Sequence, residues 1–295
     1  MASLKEIRTR IASVQSTRQI TNAMKMVSAA KLRRAQDAII QIRPYANKLQ
    51  EILANVSDSL VGDEDNLYSQ TRDIEKVLFV LLTSNKGLCG AFNSNITKAA
   101  ISLANDEYGT QLRSGNLHFL SIGRHGGDFL IKKEYTVIDK KHELFQDLTF
   151  ENVKPVGEDL ISKYIKGEYD KIMIVYNQFK NAAVQIITAE QFLPIEIPEE
   201  EKDEHHHTNL DYIFEPTKHY IVTELIPRSL KIQLYKALLD SHAAEHGARM
   251  TAMHQATDNA TELLRDLRLS YNKARQADIT NEILEIVSGA EALRG

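Results

Sequence analysis

A single cysteine, Cys89, in 295 residues excludes any intrachain disulfide and any metal cluster built on several thiolates. Tryptophan is absent. The longest unbroken apolar run is Val77–Leu82, far short of the ~20 residues that a membrane-spanning helix needs. Only six prolines occur, and they are unevenly placed. Residues 1–58 contain Pro44 alone and no glycine, and no proline follows Pro227. Both ends of the chain are therefore poor in helix breakers. Hydrophobic residues at 43% and charged residues at 26% are ample for a packed core and exclude a disordered chain.

The net charge of −4 conceals an uneven distribution. Residues 1–60 carry ten basic and four acidic side chains, 61–230 carry 18 and 27, and 231–295 carry eight and nine. A positive N-terminal arm on an acidic body implies an acidic partner for that arm: nucleic acid, an anionic membrane or an acidic protein surface. Residues 1–34 hold eight Lys or Arg and one acid, Glu6, a composition that a mitochondrial transit peptide would share. The apolar periodicity runs on past this stretch without a break, so it reads as mature helix.

Leu4, Ile7, Ile11 and Val14 keep a spacing of three and four, and Ile20, Met24 and Val27 are expected to resume it after a polar interval. A second seam includes Ile39, Ile42, Leu49, Ile52 and Val56, with a kink expected at Pro44. In the C-terminal stretch Ala244, Ala248, Ala252, Ala256 and Ala260 recur at every fourth position, a ridge that lets another helix approach closely. Ile279, Ile283, Ile286 and Val287 then restore a bulky face. The terminal helices would be roughly 85 and 95 Å long at about 1.5 Å per residue. Two such helices pair most simply with each other, as an antiparallel coiled coil.

The middle of the chain reads as alternating strands and helices. Strands are expected at 77–83, 117–122, 135–138, 171–176 and 183–188, with helices at 93–103, 126–133 and 156–166. That alternation predicts an α/β layer with a largely parallel sheet. Residues 196–209 read as an acidic loop before a strand-like Tyr212-Ile213-Phe214.

Three features could carry chemistry. Residues 83–93 follow a hydrophobic strand and precede a helix, where α/β folds bind phosphate. Gly87 and Gly90 match neither dinucleotide nor P-loop spacing, which favours a structural turn, and Cys89 within it reads as a packed thiol. His205-His206-His207 could ligate a metal, but adjacent histidines on a loop do not converge naturally on one ion. His242 and His246 flank Glu245 in an order that is not the zincin order, and read as structural histidines on an exposed helix face. The basic arm coincides with the pairing seam, which argues against DNA binding. The tip of the C-terminal helix is polar from Asn272 to Glu282 and then apolar, as a tip inserted into something would be.

Particular blocks resemble one family. Ile7-Arg8-Thr9-Arg10-Ile11 and Thr21-Asn22-Ala23-Met24-Lys25-Met26-Val27-Ser28-Ala29-Ala30-Lys31 look like the N-terminal helix of γ subunits of F-type ATP synthases. Lys86-Gly87-Leu88-Cys89-Gly90-Ala91-Phe92-Asn93, Tyr176-Asn177-Gln178-Phe179-Lys180 and Tyr212-Ile213-Phe214-Glu215-Pro216 resemble its central blocks. Tyr271-Asn272-Lys273-Ala274-Arg275-Gln276-Ala277-Asp278-Ile279-Thr280 and Glu285-Ile286-Val287-Ser288-Gly289-Ala290 resemble its C-terminal motif.

The resemblance implies a long antiparallel coiled coil of N- and C-terminal helices with a Rossmann-like α/β domain, divided as 1–60, 74–216 and 217–295. It implies a non-catalytic rotor shaft inside a hexamer of α and β subunits, with a foot near the ring of c subunits beside the ε subunit. Met24, Lys25, Arg249, Arg275, Gln276, Thr280 and Glu282 align with contacts to the hexamer. Tyr212, Phe214 and Glu215 align with the block facing the c ring and ε. No catalytic residue, cofactor, metal, nucleic acid or direct membrane insertion is implied. The expected location is peripheral, on the cytoplasmic face of a bacterial inner membrane. The alternative from residue pattern alone is a nucleotide-binding α/β enzyme with helical dimerisation arms.

Overall fold

The run Val77–Leu82 forms the central strand, β1, of a five-stranded sheet. A computed structural model describes residues 3–60, 68, 72–195 and 221–293, without the side chains of 47, 50–60, 221 and 222. The acidic loop, His205-His206-His207, the strand expected at 212–214, and Tyr212, Phe214 and Glu215 all lie outside the described residues. The sheet also contains β2 (Leu117–Ile122), β3 (Val137–Lys140), β4 (Lys171–Phe179) and β5 (Gln185–Leu193), in the order β3-β2-β1-β4-β5. β1 runs parallel to β2 and β4, and β3 parallel to β2. All six residues of β1 are 0% exposed, because a central strand covered on both faces needs apolar side chains at every position.

The expected strand at 183–188 is β5, but it starts two residues later and runs antiparallel to β4. The Asn181 side chain accepts the backbone N–H groups of Ala183 and Val184 at 3.0 and 2.8 Å. A turn this short can return only an antiparallel neighbour. Helices α2 (Phe92–Asp106), α3 (Gly109–Ser114), α4 (Arg124–Lys132) and α5 (Phe150–Ile165) complete the α/β layers. Ile96, Ala100, Ala104 and Leu130 cover the face of Phe79 and Phe119. Val153, Leu160 and Tyr164 of α5 cover the face of Leu78, Val80 and Ile174.

The long terminal helices are α1 (Leu4–Leu60), continuous through Pro44, and α6 (Ile226–Ala292), which follows a π-helical turn at Ile221–Leu225. The chain forms two compact units, Met1–Ala29 with Arg249–Gly295, and Ala30–Ala248. In the second unit α6 joins the α5 face of the sheet through Ile226, Leu230, Leu234 and Leu238. Every residue from 237 to 248 is buried except His242, which is half-buried, so this part of α6 is enclosed on all sides. Arg43 of α1 ties that core together: its Nη2 donates to Asp240 Oδ1 at 2.8 Å and to the Phe179 carbonyl at 3.1 Å. Asp240 is fully buried; desolvation pushes its carboxyl above the usual range, and the guanidinium opposes that rise.

The carboxyl edge of the sheet is closed by backbone contact. Gly123 has φ +109, and a Cβ there would stand 2.0 Å from the Thr83 carbonyl oxygen. Gly115 also has positive φ, +77, but open space around it. Gly123→Ala is therefore expected to cost about 3 kcal/mol or more, and Gly115→Ala only about 1–2 kcal/mol. Urea unfolding of the two variants checks the order, and equal losses would contradict the close approach.

Candidate partner-binding surface

In the unit Met1–Ala29 with Arg249–Gly295, the two terminal helices pair antiparallel. Arg8 Nη2 donates to the Tyr271 hydroxyl at 2.8 Å and its guanidinium lies 5.7 Å from that ring centroid. Further along, the Thr257 hydroxyl donates to Thr21 Oγ1 at 2.9 Å. The inward positions of α1 are Leu4, Ile7, Ile11, Val14, Arg18, Thr21, Lys25 and Ser28, an unbroken alternation of three and four. Facing them on α6 are Met253, Thr257, Ala260, Leu264, Leu267, Tyr271 and Ala274, with the same period. This is the heptad spacing of a coiled coil.

The seam corrects one expectation. Ile20 and Val27 are exposed, at 57% and 58%, and do not continue it. The heptad passes instead through Thr21 and Ser28, which are buried. Met24 is half-buried beside the seam, Lys25 half-buried within it, and Arg249 is 7% exposed and has an interaction partner.

Beyond Ala274 the pairing ends. Every described residue from 275 to 293 is exposed, including Arg275, Gln276, Thr280 and Glu282. Within this overhang Ile279, Ile283, Leu284, Ile286 and Val287 are open to solvent, Ile286 at 71%. The heptad that ends at Ala274 would continue through Asp278, Asn281, Glu285 and Ser288, all polar. The apolar stripe at 279, 283 and 286 is therefore out of phase with the pairing seam, on another face of α6. Burying such side chains contributes roughly 1.5–3 kcal/mol each. Contiguous exposed apolar surface rimmed by polar groups is the mark of a protein-binding surface.

The same unit presents a cluster of positive charge. Arg18, Arg265 and Arg268 line one pocket of about 290 Å³, together with Thr261 and Asn272. None of the three arginines makes an ion pair among the described residues. Unpaired guanidinium groups suit carboxylates or phosphates.

The loop after β1 and the His242–His246 pair are described in the structure. In the loop after β1, Asn93 Nδ2 donates to Ser84 Oγ at 2.7 Å, and the Ser84 N–H donates to Asn93 Oδ1 at 2.9 Å. The Ser84 hydroxyl donates to the Lys86 carbonyl at 2.8 Å, and Thr83 Oγ1 accepts from the Gly126 N–H at 2.9 Å. Cys89 is buried, and with Phe92 it packs against Ala244 and Ala248 of α6. The loop spends these polar groups on itself, and its Cys89 anchors it to α6. His242 and His246 do not lie on an exposed face as expected: His246 is 5% exposed and His242 half-buried. Burial on every side of α6 could not be read from the periodicity of α6 alone.

Comparisons with known proteins agree with this arrangement. A family model described as ATP synthase matches residues 3–293. The ATP synthase gamma chain of Christiangramia forsetii is 56% identical over 295 residues, covering all of both chains. That of Flavobacterium johnsoniae is 57% identical over the same length, and that of Chlorobium phaeobacteroides 47%. A cryo-EM structure of the Euglena gracilis mitochondrial ATP synthase contains a chain of similar fold, with TM-score 0.69 and 22% identity over 98% of this chain and 94% of that one. A Tetrahymena thermophila central-stalk and c-ring structure matches with TM-score 0.57 and 22% identity over 80% and 99%. On full-length similarity to curated relatives, the chain belongs to the ATP synthase γ-chain family, the central-stalk subunits of F-type ATP synthases.

Proposed function

We propose that the chain catalyses no step itself and works as the shaft of the rotor, coupling rotation of a c-subunit ring to nucleotide turnover on a hexamer of α and β subunits. The observation that carries this reading is the overhang of α6, exposed from 275 to 293 with an apolar stripe out of phase with the coiled-coil seam. A helix with that surface needs an enclosing partner other than α1, and a hexamer bearing would be one.

Arg275, Gln276, Thr280 and Glu282 then make the polar contacts at the entrance to the bearing. Met24, Lys25 and Arg249 contribute lower on the shaft, and Tyr212, Phe214 and Glu215 serve the c-ring and ε side. Arg18, Arg265 and Arg268, which make no ion pair among the described residues, suit acidic loops of the β subunits. Long helices held in fixed register carry torque, and an asymmetric shaft surface changes the nucleotide affinity of each β subunit in turn. No helix of the described residues is long and apolar enough to cross a membrane, which supports peripheral attachment through the complex, on the cytoplasmic face of a bacterial inner membrane.

Co-expression with α and β subunits tests the assembly: the chain should co-purify with both and raise ATPase turnover over the αβ hexamer alone. Arg275→Ala with Gln276→Ala removes contacts to charged groups worth about 1.5–3 kcal/mol each, so coupled turnover should fall about tenfold or more while the isolated chain keeps its melting temperature. Unchanged synthesis and hydrolysis would sink the contact assignment. Millimolar Mg-ATP should leave the melting temperature of the isolated chain unmoved. A saturable rise would favour a nucleotide-binding enzyme instead.

A further inference from the structure

Helix α1 runs through the unit Ala30–Ala248 with one stripe of its surface covered. Leu32, Ala35, Ile39, Ala46 and Leu49 are buried, whereas Arg33, Asp37 and Ile40 are open to solvent. Ala46 and Leu49 pack with Ile232 of α6. Apolar contacts of this kind have no direction: they resist separation, but one helix can slide or roll on another while keeping them. α6 is held differently, because its residues 237–248 are enclosed on all sides.

A hold that fixes α1 in place has to be directional, and Arg43 supplies one. Its Nη2 donates to Asp240 Oδ1 at 2.8 Å and to the Phe179 carbonyl at 3.1 Å, the two described hydrogen bonds between α1 and the rest of this unit. The Asp240 side chain is 0% exposed, and that of Arg43 is 40% exposed. Asp240 Oδ2 accepts no hydrogen bond, which leaves the carboxylate dependent on the bonds at Oδ1. Water cannot take the place of the guanidinium on a carboxylate sealed in the core, so sliding α1 by one turn would strand a buried charge. Lys48 of α1 also has an interaction partner, but it lies at the exposed surface, where solvent competes for any bond it makes.

We propose that Arg43 is a positioning residue for coupling, the clamp that makes the α/β foot turn α1 together with α6. The proposal rests on the reading of the chain as a rotor shaft. Both helices continue out of this unit, past Ala30 and Ala248. A torque on a pair of helices is carried as opposite sideways forces on the two. A foot that gripped α6 alone would deliver only what one helix can carry, and α1 would slip instead of turning. Arg43 prevents that slip by tying α1 both to the enclosed stretch of α6 and to the end of β4.

The test uses the whole membrane-bound complex carrying Arg43→Leu with Asp240→Leu. Exchanging both partners strands no charge, so the chain should assemble, and its detached complex with α and β subunits should hydrolyse ATP at the parent rate. The torsional stiffness of the rotor is read from the angular fluctuations of a bead on the c ring, with the hexamer fixed to a surface. It should fall by roughly half, because one of the two helices has lost its directional hold. ATP synthesis at a limiting ion gradient should fall with it. Arg43→Lys, which keeps a charged donor for Asp240, should stay near the parent stiffness. If the double variant does not assemble, Arg43→Gln is measured in its place, with the same fall expected. Parent stiffness and synthesis in either assembled variant would reduce the pair to core packing and overturn the clamp. Failure of the parent chain to co-purify with α and β subunits would instead overturn the shaft reading.

Discussion

Antiparallel pairing of the two ends of the chain has to hold one register, and much else follows from that requirement. A seam with heptad spacing can slide by a whole repeat at little cost if every inward position is equivalent. Here the positions are not equivalent. Thr21 meets Thr257 through a hydroxyl pair at 2.9 Å, and Arg8 meets Tyr271 through a hydrogen bond at 2.8 Å. Sliding by seven residues would leave the buried Thr21 hydroxyl opposite an apolar or mismatched group. Polar seam residues such as Arg18, Lys25 and Ser28 give up some burial energy relative to leucine. The Thr21–Thr257 and Arg8–Tyr271 bonds form in one alignment only. A helix pair that must turn as one body gains more from a unique register than from extra apolar area.

The enclosed stretch of α6 solves a different problem. From 237 to 248 the helix is surrounded, and its buried polar residues include Asp240. Arg43 reaches that carboxylate from α1 and the Phe179 carbonyl at the end of β4, so one guanidinium joins two helices and the sheet. Small residues set the distances: a Cβ on Gly247 would stand 3.2 Å from Ala182 backbone atoms, and one on Gly157 would stand 2.9 Å from Lys231. The strand order is that of nucleotide-binding α/β folds, yet α6 packs against Cys89 in the loop after β1. Fold and activity are separable, and here the sheet serves as a mount for a helix.

The parts legible in the sequence were those governed by local pattern. β1 and β2 announce themselves by apolar runs, and the terminal helices by the absence of breakers. The seam was legible at Leu4, Ile7, Ile11 and Val14 but lost at Ile20 and Val27, because the true heptad continues through Thr21 and Ser28, which hydrophobicity does not mark. Tertiary context hid the rest. The alanine row suggested a partner helix, and Ala260 does face α1, while Ala244 and Ala248 pack on Cys89 of the loop after β1 and on Phe92 at the start of α2. β5 looked like one more strand of a parallel sheet until the Asn181 turn fixed its direction. The closeness of His242 and His246 is set by rotamers and by Phe145, neither of which spacing reveals.

The α6 overhang can be argued from helix physics alone. An isolated helix of this length is marginal in water, since its nucleus is costly and only one bond is gained per residue fixed. Continuity with the paired part of α6 supplies the nucleus here, so the overhang extends a helix already formed. Continuity does not remove the cost of the exposed Ile283, Leu284 and Ile286. Had those residues kept the phase of Leu267, Tyr271 and Ala274, a longer α1 would have covered them. The stripe lies on another face instead, while the positions in phase are Asp278, Asn281, Glu285 and Ser288. An extension of α1 along the same seam would therefore meet polar groups and leave the isoleucines bare. The partner has to approach from other directions as well, and a collar around the helix meets that requirement where a third strand of coiled coil would not.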